Sequence, residues 1–129
     1  MMKYNFSYYL SAFLGKYLPG VVGASSNTVS SYRDTFVLYL RYMKAEKSIP
    51  AERIKLKALD PKCFSEFLDW LETQRHCSVT TRNVRLAAIH SFCRYLQYEA
   101  PEYLDLCKNV LKIQFKKKEQ SVLNYISLD

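Results

Sequence analysis

The stretch Ser78-Val79-Thr80-Thr81-Arg82-Asn83-Val84-Arg85-Leu86-Ala87-Ala88-Ile89-His90-Ser91-Phe92-Cys93-Arg94-Tyr95-Leu96 decides the fold. Ala88, Ile89, Phe92, Tyr95 and Leu96 recur at helical spacing and mark a core-facing stripe. Asn83, Ala87, His90, Arg94 and Gln97 take the other side. Ser78 or Thr80 supplies an N-cap, and the helix is expected to end near Tyr98. It carries no acidic residue before Glu99.

The same period extends on both sides. Ser25-Ser26-Asn27-Thr28 offers caps for a helix running to about Lys44, with Val29, Tyr32, Phe36, Tyr39, Leu40 and Met43 inward. Ser30, Arg33, Asp34, Arg41 and Lys44 lie on or beside its outer face. Before it, Tyr4 to Leu18 reads as a Tyr-rich amphipathic helix stopped by Pro19-Gly20. After it, residues 46–60 break the period, and the alternation Arg53-Ile54-Lys55-Leu56-Lys57 suggests a loop with a short extended piece. Asp60-Pro61 starts a helix to about Gln74, since a capping carboxylate precedes proline at the first helical position. Phe64, Phe67, Leu68 and Leu71 form its core face, and Glu66, Asp69 and Glu72 its acidic outer face. Arg75-His76-Cys77 reads as a turn, and Pro101-Glu102 opens a short fifth helix. Lys108, Lys112 and Lys116 to Lys118 then form a basic exit. The reading is all-α: a four- to five-helix bundle over residues 1–112, then a linker over 113–129 towards a further domain.

Composition narrows the classes. The 129 residues suit one domain, and 19 Lys plus Arg against 12 Asp plus Glu give a formal charge of +7. With 49% hydrophobic residues the chain is no disordered basic tail, and three Gly and four Pro are few for a sandwich or barrel. No run reaches the roughly 18–20 apolar residues of a membrane span, and the N-terminus lacks a small-residue cleavage site. A cytoplasmic protein is expected. Cys63, Cys77, Cys93 and Cys107 are widely spaced, with no zinc-finger pattern, and fit reduced buried thiols. No Walker A, G-x-S-x-G, G-x-G-x-x-G or H-E-x-x-H sequence occurs. No catalytic residue, metal, cofactor or small-molecule substrate is expected.

The chemistry concentrates at two helix starts. Ser25 to Thr28 is followed by Ser31, Tyr32 and Arg33, and Ser78 to Asn83 by Arg85. Free N–H groups and the helix dipole favour an anion at such a place, and Asn and Arg can reach base edges in a major groove. Ser, Thr and Asn serve most often simply as caps. Two such starts in a chain of +7 tilt the reading towards nucleic acid.

The ordered set Asn27-Thr28-Val29-Ser30-Ser31-Tyr32-Arg33-Asp34-Thr35-Phe36, Leu59-Asp60-Pro61 with Phe64, Phe67 and Leu68, and Ser78 to Leu96 resembles the SAM-like N-terminal core-binding domain of tyrosine recombinases, or phage integrases. The resemblance covers about Phe6 to Asp129. It implies a helical bundle that clamps one face of duplex DNA at a recombination site. A separate C-terminal domain, absent from the chain, would carry the catalytic Arg/His cluster and nucleophilic Tyr, so this chain would not itself be an enzyme. By resemblance, DNA contact falls on Asn27, Thr28, Tyr32 and Arg33, and on Thr80, Thr81, Arg82, Asn83 and Arg85, with other recombinase protomers as further partners. The contrasting reading is a helical protein-interaction module using the Tyr-rich first helix. Convergence of Arg33, Arg82, Arg94 and the Lys tail on one concave face would favour DNA, and scatter the interaction module.

Overall fold

The computed structural model describes residues 5–117. Its helices are α1 (Phe6–Ala12), α2 (Ser26–Lys47), α3 (Pro61–Gln74), α4 (Val79–Glu99) and α5 (Leu104–Val110). Among the described residues no strand forms, and no helix is long and apolar enough to cross a membrane. The fold is an all-α bundle.

Four helix starts are set by a polar side chain three residues before an amide that it receives. Asn5 accepts from the Tyr8 N–H at 3.0 Å and Ser25 from Thr28 at 3.1 Å. Asp60 accepts from Cys63 at 2.7 Å and Ser78 from Thr81 at 3.1 Å. Each satisfies an amide that the helix itself leaves unpaired. Asp60 is followed by Pro61 inside the first turn, where a missing N–H costs nothing.

The core is aromatic. Phe92 of α4 meets Phe36 of α2 at 5.2 Å, Phe13 at 5.3 Å and Phe6 of α1 at 5.7 Å between ring centroids. Tyr39, Phe64 and Phe67 join α2 to α3 at 5.1–5.3 Å. Phe6 links the two clusters through Tyr39 at 6.1 Å. Burial pushes the Tyr39 hydroxyl far above the ordinary tyrosine range, with the neighbouring Cys63 adding to it. The four cysteines are free thiols, Cys93 and Cys107 buried, Cys63 and Cys77 half-buried.

Three local expectations are corrected. Proline does not stop the first helix: α1 passes at Phe13 into a π-helical stretch, Phe13–Val22, with Pro19 inside it. In an α-turn the proline ring presses on the carbonyl four residues back, and the wider π-turn relieves this. The stretch ends at Gly23, whose φ of 72° lets its N–H reach the Leu18 carbonyl. The extended piece expected within 53–57 is confined to Ile54 and Lys55, and it pairs into no strand. Ile54 and Leu56 are buried as their alternation suggests, but 3-10 turns at Ala51–Arg53 and Leu56–Ala58 deliver them. A lone strand would leave its amides unpaired, whereas here Ala58 and Leu59 donate to Lys55 and Leu56. His90, assigned to the outer face of α4, is only 4% exposed. Residues 113–117 turn back along α4 and cover it.

Candidate nucleic-acid interface

The starts of α2 and α4 use the same device. Ser25 receives the Thr28 amide, and its hydroxyl donates to the Thr28 Oγ1 at 3.1 Å. Ser78 does the same with Thr81, at 3.2 Å between hydroxyls. Part of this hydroxyl chemistry is therefore capping. Asn27 and Thr80 remain exposed.

The two helices lie side by side, and a shallow open groove of about 360 Å³ runs between them. Asn27, Thr28, Ser31 and Tyr32 line it from α2, and Val84 and Ala87 from α4. Tyr32 is half-buried, its ring stacked parallel on Phe13 at 6.5 Å. Thr80, Val84, Ala87, Ser91 and Arg94 follow the three-and-four spacing of a single helix face. Thr80, Val84 and Arg94 are exposed and the other two half-buried. Arg33 is exposed, but it follows Ser31 by two residues, more than half a helical turn, and so points away from the groove.

The remaining expected contact residues have turned inward. Arg85 Nη1 donates to the Ser31 carbonyl and to Thr35 Oγ1, both at 3.3 Å. It thus ties α4 to α2 beneath the groove. Arg82 is only 6% exposed. Its Nη1 donates to the Gln114 carbonyl at 2.9 Å and to Asn83 Oδ1 at 3.2 Å, and its Nε lies 3.7 Å from Glu72 Oε1. Glu72 also takes Lys116 Nζ at 2.8 Å. Asn83 holds the main chain of Lys116. The basic side chains therefore scatter, the outcome expected of a protein-interaction module, and do not gather on one open face: Arg94 shares the exposed stripe of α4, Arg33 faces outward, Arg82 is internal and Lys116 is paired. A phosphate would reach Thr80 or Arg94 before Arg82.

Sequence reasoning noted Ser31 beside the start of α2 but missed Val84 and Ala87. Small apolar residues carry no chemical signature, although Val84 and Ala87 stand on the face defined by Thr80 and Arg94. It also missed Glu72 as an internal anchor, reading it as one more member of a solvated acidic face.

His90 lies beneath the returning segment, edge-on to Phe115 at 5.3 Å between centroids, and its Nε2 has no partner. Burial pushes its imidazole below the ordinary histidine range, and the Arg94 charge adds to this, while backbone contacts at Val110 and Ile113 oppose it. The unfolded chain then takes up a proton near pH 6.5 that the folded chain refuses, so stability present above that pH is lost as the pH falls towards the lower folded value. The melting temperature is expected to drop between pH 7 and pH 5, and His90→Leu to flatten that slope. An equal slope in both proteins would place the effect elsewhere.

These features define the chain as an all-α bundle with two Ser-capped helix starts beside one groove. The family model described as "Phage integrase, N-terminal SAM-like domain" matches residues 11–100, and the chain belongs to that family. Two relatives come from Sinorhizobium fredii (strain NBRC 101917 / NGR234). One, named "Putative integrase/recombinase y4rC", is 38% identical over 104 residues, covering 81% of this chain and 31% of the relative. The other, "Putative integrase/recombinase y4rD", is 30% identical over 104 residues, covering 81% of this chain and 37% of the relative. The chain thus spans about a third of the length of these relatives. No solved structure gives a significant match.

Proposed function

We propose that this domain binds duplex DNA at a recombination site, as the core-binding part of a tyrosine recombinase in the cytoplasm. Breakage and rejoining of strands would belong to a separate catalytic domain, and other protomers would join it on DNA. The observation that carries the reading is the groove that unites the starts of α2 and α4, lined by Asn27, Thr28, Ser31, Tyr32, Val84 and Ala87. Family membership and the names of the two relatives support it over the protein-interaction module, which the scatter of the basic side chains taken alone would favour. Asn27, Thr28, Tyr32, Thr80 and Thr81 would meet the duplex, with Arg33 on a flanking backbone. Arg85 would act from beneath by tying α4 to α2, and Arg82 and Asn83 by holding residues 114–116 against α4. Phosphate contacts would set register, and the groove would read base edges.

Counterion release makes such binding steeply salt-dependent. For about four neutralised phosphates, affinity for a short duplex is expected to fall on the order of 100-fold between 50 and 200 mM salt. A fluorescence-anisotropy titration with the whole chain measures this. Salt-independent binding, or no binding at high protein concentration, would count against the reading and favour the protein-interaction alternative.

A further inference from the structure

The chain does not leave the bundle freely after α5. Ile113 donates its N–H to the Val110 carbonyl at 3.0 Å, and the following residues run back along the first turns of α4. There the amide of Asn83 grips a single residue from both sides. Its Nδ2 donates to the Lys116 carbonyl at 2.8 Å, and its Oδ1 accepts from the Lys116 N–H at 3.0 Å. This is the pairing that a neighbouring β-strand would offer, supplied here by a side chain. Arg82 holds the Gln114 carbonyl two residues earlier. Between these two points Phe115 lies on the His90 ring. Glu72 closes the network from α3, reaching both Arg82 and Lys116.

The grip is on main-chain atoms, so it specifies a path rather than a side chain. It has no capping role, since the start of α4 is already satisfied by Ser78. We propose that Asn83, braced by Arg82 and Glu72, is a main-chain clamp. It fixes where, and in which direction, the chain departs from the bundle, so that whatever follows Lys117 starts from a set position beside the first turns of α4. Asn83 is in this sense a positioning residue, and its side chain is occupied by the clamp. The inference stands on these contacts alone and holds whether or not the groove binds DNA.

Amide hydrogen exchange on the whole chain, read residue by residue by NMR, tests it. The Lys116 amide is expected to exchange at least tenfold more slowly than an unstructured amide. Asn83→Leu should abolish that protection while amides inside α2, α3 and α4 keep theirs. Asn83→Asp keeps the acceptor for the Lys116 N–H and should restore most of it. A Lys116 amide that is unprotected in the unaltered chain overturns the proposal. So does protection that survives Asn83→Leu, or a uniform loss across all helices, which would make Asn83 a residue of general stability.

Discussion

Phe92→Ala is expected to lower the unfolding free energy by about 3–5 kcal/mol, the range for emptying a buried aromatic site. Phe92 is fully buried, and the rings of Phe6, Phe13 and Phe36 surround it at 5.2–5.7 Å. Those rings come from α1, its π-helical continuation and α2, which are held by further packing, so they close only partly on the space left behind. Against a total stability of roughly 5–15 kcal/mol, such a loss brings the bundle close to unfolding at ambient temperature. Urea denaturation should show the midpoint fall with little change in slope. Phe92→Leu keeps much of the volume and should cost about a third as much. A loss below about 1.5 kcal/mol for Phe92→Ala would mean that the site collapses and that the aromatic cluster is less rigid than its geometry implies. The consequence extends to the groove: Phe92 sets the distance between α2 and α4, whose exposed edges form its walls.

What could be read in the sequence was what is local. Ser25, Asp60 and Ser78 each act on an amide three residues away, so helix starts are visible in a short window. The stripes of α2, α3 and α4 follow from a period that the core enforces, and the ordered motifs carried the family. The exceptions have physical causes. Pro19 sits inside a helix because the chain changes from an α- to a π-ladder, which residue types do not announce. His90 and Asn83 looked outward because the segment that covers them arrives from about thirty residues downstream. The candidate site divides on the same line. Asn27, Thr28 and Tyr32 line the groove, whereas Arg82 and Arg85, assigned to DNA by resemblance, spend their guanidinium groups on partners within the bundle. A guanidinium carries five donors and finds partners inside a fold as readily as on phosphate.

Arg82 gives the second large effect, and it reverses what the sequence suggests. Read as a surface arginine on a helix start, Arg82→Ala should weaken DNA binding and leave the melting temperature unchanged. In the structure its side chain is 7% exposed and that of Glu72 22%. Removing the guanidinium strands the Gln114 carbonyl and leaves Glu72 with Lys116 alone, which is itself 46% exposed and well hydrated. Losing a charge-assisted bond to the part-buried Gln114 carbonyl and half the pairing of a partly shielded carboxylate costs about 2 kcal/mol, less than a fully buried ion pair would because Gln114 and Glu72 retain some solvent. For a domain of this size the melting temperature should fall by on the order of 10 °C. Arg82→Met, which keeps the stem packed but offers no donor, should lose nearly as much, which assigns the effect to the fork rather than to packing. Arg82→Lys should recover little, since one ammonium cannot span Gln114 and Glu72 together. A double-mutant cycle with Glu72→Gln should show coupling of roughly 1 kcal/mol or more, as expected of groups in one network. If instead the melting temperature holds and only duplex affinity falls, the guanidinium is reaching a phosphate and its place in the bundle interior is not the one that matters. Binding by these variants has to be measured well below their own melting temperatures, because otherwise loss of the fold would pass for loss of a contact.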